Sequence, residues 1–243
     1  MKVRVGIIGG SGFYEFLSNA REKSVRTPHG KPSDKISIGN LSGKRVAFLP
    51  RHGKKHTIPP HNINHKANIF ALKSLGVGNI ISVASVGIIN MDIKIGDFVI
   101  LSDFLDFTKK YHTFYDTFKK EPTHVDLTYP FSNRLRRLLI EVCKITGCSF
   151  HDKGVYVNSP GPRLETPAEI RMFGNVGADV VGQTVVPEAI LSKELGVEYA
   201  TVAVGINYAC GITEGPMKLE TEKIMKEKEP MLKEIIRKVV DRI

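Results

Sequence analysis

The stretch ADVVGQTVVPEAILSKELGVEYATVAVGIN, residues 178–207, sets two short apolar runs on either side of a helical pattern. Ala178–Thr184 and Tyr199–Asn207 read as buried strands, and Pro187–Leu195 between them reads as a helix. The same alternation extends outward in both directions. Val3–Ile8 is a strand ending in Gly9-Gly10, and Ile36–Gly39 with Arg45–Leu49 forms a hairpin around Asn40–Lys44. Asn62–Leu75 has near-helical apolar spacing and stops at Gly76. Asn79–Ser85, Asp97–Leu105 and Lys153–Asn158 add strands. Phe131–Thr146 carries Leu135, Leu138, Leu139, Val142 and Ile145 on one helical face, and Thr166–Phe173 is a further helix. A last amphipathic helix repeats Leu232, Ile235, Ile236, Val239 and Val240, with Pro230 expected to open or kink it. Strands alternating with helices predict an α/β fold: one domain over residues 1–243, its central mixed β-sheet flanked by helices.

The 243 residues are 42% hydrophobic and 25% charged, near the globular average, which excludes a disordered chain, a collagen-like repeat and a coiled coil. No apolar run approaches the ~20 residues that cross a bilayer. The first residues lack the apolar core of a signal peptide, and three cysteines make no disulfide framework, so a cytoplasmic protein without membrane partners is expected. The net charge of +10 is local: residues 1–66 hold 13 Lys+Arg against 3 Asp+Glu, whereas the remainder balances. A basic nucleic-acid-binding module is one explanation, and a site for a small anion such as phosphate is another. The aromatics beside the surplus, Phe13, Tyr14 and Phe16, follow a glycine turn and suit pocket lining better than base stacking. Lys109–Tyr129 is polar, aromatic and patternless, the character of a functional or interface loop.

Five clusters carry possible chemistry. Gly9-Gly10-Ser11-Gly12 follows a strand and lets the backbone approach an anion, although a plain tight turn has the same residues. It is neither a dinucleotide fingerprint nor a P-loop. Pro50–Thr57 presents Arg51, His52, Lys54, Lys55 and His56 at a strand end, as an oxyanion grip or a solvated surface. His52, His56, His61 and His65 lack acidic or cysteine partners and HExxH is absent, which argues against a metal. Gly161–Glu169 contains a helix start, with Thr166 as N-cap, Pro167 first and Glu169 third, which leaves Glu165 projecting from the loop. Thr184 opens the next helix as an anion-facing hydroxyl or as a cap, and Asn207 ends a strand as a lone amide or a turn former.

Taken together, these segments resemble the trimeric purine nucleoside phosphorylase and methylthioadenosine phosphorylase family in order and spacing. The resembling segments are GGSG at 9–12, PRHGKKHT at 50–57, ASVG at 84–87, GPRLETPAE at 161–169, GQTVVPEAILSKELG at 182–196 and GIN at 205–207. Members of that family cleave the N-glycosidic bond of a purine nucleoside with phosphate. The resemblance implies that Ser11, Arg51, His52, Ala84, Ser85 and Thr184 hold phosphate, with His52 and Asn207 as the catalytic pair. Phosphate is a co-substrate and no cofactor or metal is needed. A homotrimer is implied, with His124 reaching a neighbour's site.

Base preference follows from the same carry-over. The methylthioadenosine branch has aspartates where this chain has Asn207 and Ala209, whereas the 6-oxopurine branch has Asn and a Glu matching Glu165. An ionised Glu165 only accepts, so it suits the N1–H of a 6-oxopurine and repels the bare N1 of adenine. Asn207 offers both donor and acceptor to O6 and a protonated N7. The family's 5′ pocket matches Leu219–Met225, with Ile224 and Met225 as its apolar members or as plain helix core. S-methyl-5′-thioinosine is the first expected substrate, inosine or guanosine the second and methylthioadenosine the third. Gln183 stands where the family has Met beneath the sugar, and Leu164 replaces an aromatic on the purine. With those two departures, a non-catalytic purine-binding protein is the remaining reading.

Overall fold

The computed structural model describes residues 3–13, 16–17, 19–108, 110–118 and 121–243. The described strands, in chain order, are Val5–Gly9 (β1), Arg21–Lys23 (β2), Ile36–Leu41 (β3), Lys44–Pro50 (β4), Asn79–Ile88 (β5), Phe98–Ile100 (β6), Asp103–Asp106 (β7), Phe150–His151 (β8), Val155–Asn158 (β9), Val180–Gly182 (β10) and Glu198–Tyr208 (β11). The helices are His65–Ser74 (α1), Asn133–Thr146 (α2), Pro167–Asn175 (α3), Val185–Glu194 (α4) and Thr221–Arg242 (α5). All eleven strands join one mixed sheet. Its main path runs β2-β3-β4-β1-β5-β10-β9-β7, and β11, β6 and β8 branch from β5.

β1 is buried at every residue, as a central strand covered on both faces must be. It lies parallel to both β4 and β5. On one face α1 and α4 cover the sheet through Ile69, Leu72, Val185, Ala189 and Leu191. On the other, α2 and α5 pack together through Leu135, Leu139, Val142, Ile235, Ile236 and Val239. The structure is thus the α/β fold with a central mixed sheet that the alternating pattern predicts.

Local signals set most boundaries. Asn64 caps α1 by accepting from the Ala67 N–H at 3.0 Å, so the helix starts there and Asn62 belongs to a preceding 3₁₀ turn. Ser132 caps α2, and Gly147 ends it in the left-handed conformation at φ 67°. Thr166 and Glu169 form the expected reciprocal capping box at α3.

Two expectations are corrected. The single strand expected at Asp97–Leu105 is two: β6 is buried between β11 and β8, whereas β7 turns away to pair with β9. Nor does Pro230 open the last helix. It lies inside α5 on the exposed side, while Met225 and Leu232, two turns apart, enter the same core. The carbonyl freed by the proline's missing N–H can be hydrated there, so apolar burial on both sides outweighs the break.

Candidate active site

The sheet opens at β5. Along one edge β5 pairs with β11 from Asn79 to Ile88. Along the other it pairs with β1 only as far as Ser82 and with β10 only at Gly87 and Ile88. Between those two partners residues 84–86 line a cleft of about 180 Å³ at the strand ends, the place where open α/β sheets bind ligands.

One end of the cleft is built from Ser11, Arg51, His52, Ala84, Ser85 and Thr184. Gly10 makes the approach possible, because a Cβ there would lie 2.6 Å from the Val83 carbonyl oxygen. The Ser85 hydroxyl donates to the Ser11 carbonyl at 3.1 Å and ties the β1 loop to β5. Arg51 is buried at the end of β4, and its guanidinium forks onto Glu188 with Nε–Oε1 at 2.6 Å and Nη2–Oε2 at 2.9 Å. Burial alone would favour a neutral guanidine, but the Glu188 carboxylate outweighs it and raises the Arg51 pKa.

His52 is set differently. Its Nδ1 lies 2.8 Å from the Ile58 carbonyl oxygen, so this nitrogen carries the proton and Nε2 keeps a lone pair. Burial first, and then the Arg51 charge, depress its pKa to about 4. The imidazole is neutral at pH 7 and stacks on His56, with ring centroids 4.8 Å apart. The unfolded chain takes up this proton near pH 6.5 and the folded chain only near pH 4, so stability falls as pH drops through that window. Between pH 8 and pH 5 the loss is about 2 kcal/mol from this residue. Urea unfolding of wild type and His52→Asn across that range checks it: the variant's curve should be flatter by that amount, and parallel curves would contradict it.

Thr184 opens α4 without using its side chain as a cap. The first N–H groups of the helix are taken instead by β9: Thr184 N–H donates to the Tyr156 hydroxyl at 3.1 Å and Val186 N–H to Asn158 Oδ1 at 3.3 Å. What α4 offers the cleft is therefore the Thr184 hydroxyl, not free backbone donors. Of the two roles that the sequence left open for Thr184, the side-chain cap is therefore not used.

The other end holds Leu164, Glu165, Gln183, Asn207 and Ala209. Glu165 is buried, and one carboxylate oxygen accepts from the Ser159 hydroxyl, leaving the other for a ligand. Asn207 owes its position to an irregularity in β11: Gly205 faces Val86 and Asn207 already faces Gly87, so Ile206 is an extra residue. Such a bulge re-aims the following side chain. The Asn207 amide donates to the Tyr208 carbonyl at 2.8 Å and approaches Met217 Sδ at 3.1 Å. Gln183 Nε2 donates to the Arg163 carbonyl at 2.8 Å, tying the two loops under the cleft.

The phosphorylase superfamily profile matches residues 4–241. The chain belongs to that superfamily. It is 45% identical over 251 residues to a probable 6-oxopurine nucleoside phosphorylase of Thermococcus kodakarensis, covering 99% of this chain and 92% of that one. An S-methyl-5′-thioadenosine phosphorylase of Thermofilum pendens is 41% identical over 245 residues, covering 100% and 93%. The solved structure of methylthioadenosine phosphorylase from Schistosoma mansoni with adenine superposes with a TM-score of 0.93 at 33% identity, covering 98% and 91%. The chain is accordingly an enzyme, a pentosyltransferase of the purine nucleoside phosphorylase type.

Within this phosphorylase, eleven of the residues given a site role in the sequence meet in one cleft, whereas Met225, Ile224, His124 and Phe13 do not. Met225 is fully buried in the α5 core, where it packs under Gly12 (φ 76°), and Ile224 is in the same core. From this part of the chain, Leu219 at the start of the expected Leu219–Met225 segment reaches the cleft, together with Met217 just before it. His124 is exposed and lies against Phe118, ring centroids 5.9 Å apart, away from its own chain's cleft. Phe13 does not line the pocket either: it is core, packed on Phe16 and Phe48 at 5.5 and 6.0 Å. Tyr14 lies outside the described residues. Sequence reasoning gave no role to Glu188, Ser82, Tyr199, Tyr156 or Ser159. Only the coincidence of GQTVVPE with the family pattern pointed near the first of them.

Proposed function

We propose that the chain catalyses phosphorolysis of 6-oxopurine nucleosides, with S-methyl-5′-thioinosine preferred. Phosphate oxygen attacks C1′, the C1′–N9 bond breaks with its electron pair going to the purine, and the products are hypoxanthine and S-methyl-5-thioribose 1-phosphate. The observation that carries this reading is the buried Glu165, which has one oxygen held by Ser159 and lines the same cleft as Asn207 and Ala209. An acceptor-only carboxylate matches an N1–H donor, and the small Ala209 puts no second carboxylate there. The name of the Thermococcus relative agrees with this base preference.

At the phosphate end, Ser11 and Thr184 hydroxyls and one Arg51 N–H orient the anion, and the His52 lone pair accepts the P–OH of monohydrogen phosphate. The transition state has oxocarbenium character, and the phosphate beside the sugar stabilises that charge before bonding to it. Asn207 supports the departing base by donating to O6 and accepting from N7–H, which takes its proton from solvent while the P–OH proton of the sugar phosphate is lost to solvent. Phosphate is the co-substrate, and the proposed reaction uses no metal or organic cofactor.

Met217 and Leu219 give the cleft an apolar margin suited to a methylthio group. The reading extends to a cytoplasmic homotrimer formed by one domain, residues 1–243. Its three free cysteines suit a reducing compartment. The exposed aromatics Tyr111, Phe118 and Tyr129 make the 107–129 segment a candidate subunit contact that would bring His124 to a neighbour's 5′ pocket.

Base release from S-methyl-5′-thioinosine, inosine, guanosine and S-methyl-5′-thioadenosine, measured side by side, tests the specificity. The thioinosine should lead in kcat/KM. Inosine or guanosine in the lead would remove the apolar 5′ assignment and keep the base assignment, and thioadenosine in the lead would remove the base assignment.

A further inference from the structure

Glu188 reaches the phosphate end of the cleft without lining it. It is fully buried on α4, and its carboxylate accepts four hydrogen bonds. Two come from Arg51, a third from the Tyr199 hydroxyl at 2.7 Å and a fourth from the Ser82 hydroxyl at 3.3 Å. Ser82 closes the ring by accepting from Arg51 Nη2 at 2.6 Å. His65 and Tyr156 are the remaining titratable neighbours, and burial keeps the Tyr156 phenol protonated by raising its pKa to about 12. The His65 Nδ1 stands 3.8 Å from Oε1, beyond hydrogen-bond range, and burial holds that imidazole neutral.

A guanidinium has five N–H donors. In Arg51, Nε–H goes to Glu188, both Nη2 protons go to Glu188 and Ser82, and one Nη1 proton goes to the Val83 carbonyl at 3.0 Å. One Nη1 proton is left, beside Gly10, where a Cβ would come within 2.9 Å of the nitrogen. The Arg51 charge is matched by Glu188 at contact distance, and His52 is neutral. Among the described residues that line the cleft, the phosphate therefore meets one Arg51 donor and hydroxyls, with no lysine in contact.

We propose that Glu188 is a positioning and charge-balancing residue for the phosphate nucleophile: it aims a single Arg51 N–H at the anion and cancels the charge that would otherwise over-stabilise it. This inference rests on the phosphorolysis reading. Binding the nucleophile more tightly in the ground state than in the transition state slows the chemical step, so a damped cation keeps phosphate reactive.

Two variants separate aim from charge. Glu188→Gln keeps the shape and one acceptor but removes the carboxylate charge. Calorimetric titration with phosphate, and with sulfate as an unreactive dianion, should then give Kd at least fivefold lower at low salt. Its kcat should fall at least tenfold, with nucleoside KM within twofold of wild type. Glu188→Asp keeps the charge but cannot reach Nε and Nη2 together, so phosphate Kd should rise at least fivefold with nucleoside KM again within twofold. Opposite signs for the two variants support the proposal. A Kd that rises in Glu188→Gln, or nucleoside and phosphate constants that move together, would overturn it as a structural effect. Should Glu188→Gln fail to fold, the Asp variant decides alone, and an unchanged phosphate Kd there overturns the proposal. Wild-type enzyme that binds sulfate but releases no base with phosphate would instead remove the phosphorolysis reading and leave the binding comparison intact.

Discussion

Glu165→Ser is expected to lower kcat/KM for S-methyl-5′-thioinosine on the order of 10²–10³-fold, while S-methyl-5′-thioadenosine loses less than about tenfold. The asymmetry comes from hydrogen-bond inventory. A 6-oxopurine presents N1–H, and the Glu165 oxygen left free by Ser159 is a charged acceptor in a buried setting, where such a bond is worth more than in water. A serine hydroxyl is shorter and uncharged, so the N1–H is left without that partner. Adenine presents a bare N1, which a carboxylate repels and a hydroxyl can donate to. Steady-state kinetics on the two substrates checks this, and an unchanged ratio would remove Glu165 from base recognition. The short side chain also leaves Ser159 without its acceptor, so expression and melting temperature should be recorded alongside.

Asn207→Ala is the second large effect. Its kcat/KM for 6-oxopurine nucleosides should fall on the order of 10²–10³-fold, with phosphate Kd within about twofold of wild type. The bulge at Ile206 turns this amide into the cleft, and alanine keeps the backbone while removing both donor and acceptor from the leaving base. The amide's present partners, the Tyr208 carbonyl and Met217, would be freed as well. Any loosening of the segment carrying Met217 would show as a higher KM for the 5′-methylthio substrate relative to inosine. Equal losses in phosphate and nucleoside binding would contradict the assignment of Asn207 to the base.

Much of this architecture is legible in the chain because local and global signals agree. The buried run at β1, the Gly147 stop of α2 and the Thr166–Glu169 box are each set by nearby residues. The misread elements depend on distant ones. Asp97–Leu105 is one uninterrupted pattern in sequence, and only its pairing with β11 and β8 on one side and β9 on the other divides it. Ile224 and Met225 are apolar at helical spacing, a pattern that core and pocket wall share, and α5 packing against the sheet assigns them to the core. Met217 sits in an irregular segment with no periodicity to place it.

The cleft residues themselves were readable because their segments keep order and spacing with a known family, not because any one motif is decisive. Glu188 shows the limit of that reading. A carboxylate in the first turn of α4 looks like a favourable helix-end charge. Its actual partner, Arg51, lies 137 positions away in the chain and meets it only after β4, β5 and α4 have assembled.

The local basic surplus also gains a physical account. Arg51 is matched by Glu188 and His52 is neutral, so the cations that attract an anion from a distance are others in that segment, such as the exposed Lys55. On the proposed phosphorolysis reading, contact chemistry and long-range charge would be carried by different residues.

The proposed reaction transfers a pentosyl group from a 6-oxopurine to phosphate. Incubating S-methyl-5′-thioinosine with the enzyme, with and without phosphate, and quantifying hypoxanthine and sugar phosphate together tests it most directly. One S-methyl-5-thioribose 1-phosphate per hypoxanthine, and no release without phosphate, is the expected result. Base release at the same rate without phosphate, with free sugar as the product, or no release under either condition, would contradict it.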